Sequence, residues 1–206
     1  MMKLGTLSCA FVCGAMVMLL MGDIASIGAP AEGEQELRQA VEQSARISDF
    51  HTKLKPIKGA YDQKMKWWPA PGAEPLEAES WSDTEWLMGY RFMMQKVKGK
   101  WLDMPFEGLA ILGYDTSANE YNYVWFDTLG TKMLFSRGAC PDPCVSITMH
   151  GEYLDALTGE TVKARSVLAV PDRKGETTLE LYRTTSGGDE FKFLEVASTR
   201  KLRTGA

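Results

Sequence analysis

The stretch MPFEGLAILGYDTSANEYNYVWFDTLG, residues 104–130, decides how the rest of the chain is read. It reads as two β-strands, 106–114 and 120–126, joined by a turn rich in Asp, Ser and Asn. Side chains alternate across a strand, so Tyr121, Tyr123, Trp125 and Asp127 fall on one face of the second strand. Three aromatics and a carboxylate on one face make either a wall of core or the lining of a pocket.

Working outward, the same texture continues on both sides. Short runs rich in Val, Thr, Tyr, Phe and Trp predict strands at 60–68, 77–86, 90–98, 106–114, 120–127, 131–138, 145–154, 161–170, 176–184 and 190–200. The links are turn chemistry: Pro69-Ala70-Pro71-Gly72, Lys98-Gly99-Lys100, Asp115-Thr116-Ser117, Thr158-Gly159 and Ser186-Gly187-Gly188. No long helical pattern interrupts them. Hairpin-length links mean an antiparallel meander, and ten strands must either curl closed or split into two layers. Closure removes exposed edges, so the expectation is an all-β, antiparallel up-and-down barrel rather than a sandwich.

Upstream, residues 32–50 predict a helix. Leu37 and Val41 recur at helical spacing, and the acidic start suits the helix dipole. Its apolar stripe is thin, which fits a surface helix or lid. Before it, Lys3 gives a short basic start, residues 4–22 carry no charge, and Ala29-Pro30-Ala31 fits a cleavage pattern. Residues 1–31 therefore read as a secretory signal, with an uncleaved N-terminal membrane anchor as the alternative. Residues 51–206 are left as one barrel domain, periplasmic or secreted and free of the membrane once the leader is cleaved.

The formal net charge of −4 comes with no Lys/Arg stripe, which argues against a nucleic-acid partner. Cys140 and Cys144 flank Pro-Asp-Pro, and in an exported chain such a pair reads as a disulfide stapling a hairpin end. Catalytic signatures are missing: there is no G-x-S-x-G, H-E-x-x-H, phosphate loop or dinucleotide fingerprint, and hence no catalytic residue, metal site or cofactor to assign. His150 shares a strand face with Ser146, Thr148 and Glu152 and is expected to face solvent.

Charges inside otherwise apolar strands draw more interest: Arg91, Glu107, Asp127, Arg165 and Glu195. A charge facing a lumen needs a partner, and there it could orient a polar ligand head or act as acid or base. The alternative is that these faces point outward, or that the pairs only help close the barrel. Trp67 and Trp68 are adjacent, so at most one of them looks inward.

Trp67-Trp68-Pro69-Ala70-Pro71-Gly72, Gly89-Tyr90-Arg91-Phe92, Met104-Pro105-Phe106-Glu107-Gly108, Leu112-Gly113-Tyr114-Asp115 and Trp125-Phe126-Asp127, with Glu195 and Thr199-Arg200-Lys201, resemble the uncharacterised bacterial family DUF1579. The resemblance implies a lipocalin-like (calycin) barrel and transfers no catalytic residue. Gly59-Ala60-Tyr61 is similar to the Gly-x-Trp that opens many such barrels, with Tyr in place of Trp. Nitrobindin-like barrels of related fold bind haem through a histidine near the C-terminus; residues 190–200 contain none, so that role does not transfer.

The expectation is a non-enzymatic barrel for a small apolar or amphipathic molecule. Tyr123 and Trp125 would grip it, and Asp127, Glu107 or Arg91 would orient its polar end. The alternatives are a carboxylate-dependent hydrolase or isomerase, and a structural protein with a filled barrel.

Overall fold

The computed structural model describes residues 30–155, 159–184 and 188–201. The expected leader therefore lies outside the described residues, apart from Pro30 and Ala31, which open helix α1. No helix among the described residues is long and apolar enough to cross a membrane.

The chain divides into two units, Met1–Ala45 and Arg46–Ala206. The first contains α1 (Pro30–Ser44), whose acidic start is joined by an Arg38–Glu34 pair at 3.3 Å, one turn apart. The second holds a short helix α2 (Asp49–Thr52), a 3-10 turn (Lys55–Ile57) and ten strands. These are β1 (Gly59–Trp67), β2 (Leu76–Leu87), β3 (Phe92–Trp101), β4 (Met104–Asp115) and β5 (Glu120–Asp127), then β6 (Leu134–Ala139), β7 (Ser146–Leu154), β8 (Thr161–Ala169), β9 (Glu176–Thr184) and β10 (Glu190–Arg200).

Each strand pairs antiparallel with its neighbour in sequence, and β1 pairs with β10 from Tyr61↔Arg200 to Trp67↔Leu194. The meander is a closed barrel, the architecture the alternation and turns called for. The turns show why the strands stop where they do. Leu102 and Asp103 join β3 to β4 with φ of 49° and 63°, the left-handed pair that matches the twist of a two-residue hairpin. Asp115 Oδ1 accepts from the backbone N–H of Ser117 (2.8 Å) and Ala118 (3.1 Å), closing the β4–β5 turn.

Register fixes which side chains face inward. Gly108↔Asp127, Ala110↔Trp125, Leu112↔Tyr123 and Tyr114↔Tyr121 place the four singled-out β5 residues on the inner face. One end of the barrel is filled. Leu54, Met93, Tyr121, Ile147 and Met149 are all but fully buried there and form the core with Ile57, Leu112 and Tyr114. The segment before β1 is the stopper. Phe50 stacks on Tyr114 at 4.4 Å, Tyr121 Oη donates to the Phe50 carbonyl (3.0 Å), and Tyr61 Oη donates to the Pro56 carbonyl (3.1 Å). The N-terminal helix thus ends earlier than its composition predicted, at Ser44, because Phe50 and its neighbours belong under the barrel floor.

His51 sits in that stopper, buried, with Nδ1 accepting from Ser48 N–H (3.1 Å) and lying 3.0 Å from Ser48 Oγ. Burial, and to a smaller degree the Arg91 charge, lowers its pKa from 6.5. Beside it, the β6–β7 link carries the bonded pair Cys140–Cys144, with Cα atoms 5.2 Å apart. Lys53 reaches Asp142 of that link at 2.6 Å, tying the stopper to it.

Candidate ligand-binding site

Toward the other end, the inward wall changes character. Met65, Trp67, Tyr123, Trp125, Ser166, Leu181 and Val196 all point inward by register, yet each keeps part of its surface accessible. Inward-facing residues that are neither buried nor solvent-facing line an accessible space. The floor is packed shut and the upper half is not.

The wall has two chemistries. Nearer the floor, β10, β1, β2 and β3 carry a polar band that is satisfied from within. Gln63 Nε2 donates to Ser198 Oγ (3.1 Å), Ser80 Oγ donates to Gln63 Oε1 (3.1 Å), and Gln95 Nε2 reaches Ser82 Oγ (3.4 Å) and Thr84 Oγ1 (3.3 Å). On β4 to β9 it is mainly aromatic and aliphatic, interrupted by the inward Ser136 and Ser166. Trp125 lies over Gly108, where any added methyl would run into its ring, and it stacks with Phe106 at 6.2 Å. Burial raises the Tyr123 phenol well above its ordinary pKa of 10, so it stays uncharged.

Charges occupy only the two ends. At the mouth, Asp127 Oδ2 accepts from the Trp125 indole N–H (2.7 Å), and its Oδ1 accepts from Leu129 N–H (2.9 Å). Arg183, beside Phe191 in register, donates to the Pro69 carbonyl (2.9 Å) and lies 3.6 Å from Asp155, with the rings of Phe191 and Phe193 at 5.0 and 5.6 Å. At the floor, Arg200 donates to the Pro56 carbonyl and to Tyr61 Oη (2.8 Å), with the Tyr61 ring 5.3 Å from its guanidinium. Tyr61, the residue standing where Gly-x-Trp would carry tryptophan, therefore closes that corner as one face of an arginine clasp.

Two depressions open near the mouth. One of about 180 Å³ is lined by Trp125, Asp127, Leu129, Gly130, Lys132 and Leu134. The other, about 690 Å³, lies where β2 and β3 part beyond their last pair, Ser80↔Gly99. It mixes inward Leu76 and Trp101 with outward Trp81 and Lys98, so it opens through the gap between the two strands.

Of the five residues named from sequence, Tyr123, Trp125 and Asp127 come together inside the barrel, and two do not. Glu107 points outward and pairs with Lys98 at 2.9 Å. It alternates with inward Phe106 and Gly108, and only the β4–β5 register reveals that its phase is opposite to that of Asp127. Arg91 lies in the β2–β3 turn at the floor end, after Met88, Gly89 and Tyr90 at positive φ, and its Nη1 donates to the Met88 carbonyl (3.1 Å).

The other strand charges also face outward. Arg165 pairs with Glu190 at 2.5 Å and Glu195 pairs with Lys192. Glu195 and Phe191 would share a face in a regular strand, but a bulge between Lys192 and Leu194 shifts the phase of β10 and turns Glu195 outward. His150 is exposed, as its strand face implied. Trp67 looks inward, and Trp68 lies outside with Lys192 Nζ 5.5 Å from its ring.

Sequence reading missed Ser136, Tyr153, Ser166 and Arg183. Each sits in a correctly placed strand, but its inward direction depends on pairings distant in sequence.

The family described as a protein of unknown function (DUF1579) matches residues 47–200. Among solved structures, Rv2717c from M. tuberculosis superposes with a TM-score of 0.54 at 12% identity, covering 76% of this chain and 100% of that one, which shows likeness of fold. No curated protein matches the sequence.

Proposed function

This chain belongs to DUF1579, a family of proteins of unknown function, and we propose that it is an exported carrier or sensor that holds a small, largely apolar molecule in the upper half of its barrel. One observation carries the reading. Inward residues above the packed floor remain partly accessible, and many of them are aromatic or aliphatic. Such a lining loses contact with water when an apolar body enters, a gain of about 25 cal/mol per Å² covered. Tyr123 and Trp125 are the gripping surfaces. Asp127 acts through Trp125, holding the indole flat over Gly108 rather than meeting the ligand itself.

The carboxylate-dependent enzyme reading loses its two named acids. Glu107 is outside in an ion pair, and both oxygens of Asp127 already accept hydrogen bonds. A filled, purely structural barrel would bury its whole inner wall, which the accessible residues on β1, β5 and β8 to β10 oppose.

Native mass spectrometry of protein purified from its own host tests the carrier. A co-purifying small molecule lost on Trp125→Ala supports it. An empty protein that also fails to enhance the emission of the neutral dye N-phenyl-1-naphthylamine rejects it. Export is tested separately by N-terminal sequencing of the native protein, where an intact Met1 start in the cytoplasm would refute it.

A further inference from the structure

Around Gly151 the inner wall carries three hydroxyls with no hydrogen-bond partner among the described residues. Tyr123 on β5 faces Ser136 on β6, Ser136 faces Gly151 on β7, and Ser166 on β8 faces Met149, two residues along from Gly151. Ser136 Oγ lies 2.7 Å from where a Gly151 side chain would begin, so the missing side chain leaves it room. Ser166 Oγ is buried without a hydrogen-bond partner, and neither Tyr123 nor Ser136 has one among the described residues. Ser166 Oγ departs from the rule that buried polar groups are bonded, which the opposite wall from Gln63 to Thr84 obeys, while Tyr123 and Ser136 keep part of their surface accessible.

The charges sharpen the contrast. By register, the only inward ionisable acids or bases among the described residues are Asp127, Arg183 and Arg200, all at the ends and each already bonded. The nearest inward cation, Arg183, lies two strands from Gly151 on the row Gly151↔Ala164↔Arg183 and is already committed to Asp155 and the Pro69 carbonyl, so a ligand carboxylate beside the three hydroxyls would have to compete for it or be buried unpaired at a cost.

We propose that the Tyr123–Ser136–Ser166 wall is a polar subsite for the hydroxyl or carbonyl of an uncharged, otherwise apolar ligand. This rests on the carrier reading and adds the chemical class. The subsite selects against the anion of a fatty acid and for its neutral alcohol counterpart. The phenol and serine hydroxyls both donate and accept, so either polar end is served.

The test is a competition titration against N-phenyl-1-naphthylamine at pH 8, using 1-dodecanol and dodecanoate as matched probes. Dodecanol is expected to displace the dye at least ten-fold more tightly. Tyr123→Phe, Ser136→Ala and Ser166→Ala should each weaken dodecanol about five-fold, the worth of one neutral hydrogen bond, and the two serine variants should leave dye affinity unchanged. Using three separate variants, each checked by near-UV circular dichroism, keeps the result clear of a folding failure. Dodecanoate binding as tightly as dodecanol, or dodecanol affinity unmoved in all three variants, overturns the subsite and leaves the carrier standing. No binding of the dye overturns both.

Discussion

Asp127 shows how a residue can be found by pattern and still be misjudged in role. Period-two alternation put it on the face of Tyr123 and Trp125, and the structure keeps it there. Its two oxygens are committed to the Trp125 indole and the Leu129 backbone, so it is a positioning residue. Asp127→Ala is expected to lower stability by about 1–2 kcal/mol, two hydrogen bonds' worth, and to weaken dye binding by freeing the indole. Chemical denaturation followed alongside dye titration checks both, and an unchanged dye affinity would remove Asp127 from the site. Glu107 failed for the complementary reason. Alternation within one strand is local, but the phase between two strands is set by register, which one strand does not contain.

At the scale of elements, the strands were legible and the stopper was not. Turn residues bound strands wherever they occur, so most predicted ends lie within a residue or two of those observed. Helix α2 spans four residues, too few to show a period, and its packing partners Tyr114 and Tyr121 lie far along the chain. The bulge in β10 was equally hidden, because an extra residue changes direction without changing composition.

Two predictions belong to the stopper. His51 has a pKa lowered by burial, so the unfolded chain binds a proton more readily than the folded one. Stability should therefore fall as pH drops below about 6.5, levelling once the lowered folded pKa is passed, and His51→Gln should flatten that slope. Urea midpoints at pH 7.5 and 5.5 measure it, and an equal slope in the variant would refute the assignment. Replacing both Cys140 and Cys144 by Ser should cost about 2 kcal/mol on the chain-entropy estimate for so short a loop. A denaturation curve that does not move would show that the staple contributes nothing.

For the molecule as a whole, closure depends on the β1–β10 seam, and Arg200 fastens it where the stopper enters. Arg200→Met retains length and apolar bulk but loses the bonds to the Pro56 carbonyl and Tyr61 Oη, a loss of about 2 kcal/mol or more. Unfolding by heat should then begin with hydrogen exchange at β1 and β10, whereas uniform exchange across all strands would count against a seam. The barrel itself could be anticipated because ten short antiparallel strands have few ways to hide their edges. That its upper half stays accessible could not be anticipated, since this depends on how side chains from ten strands share one interior.

The segment entering β1 and the residues leaving β10 meet at the same stoppered base, with Lys201 N–H donating to the Ala60 carbonyl at 2.8 Å. A handle grafted at either terminus of this unit would hold the cup by its foot, leaving the rim turned toward whatever it collects from.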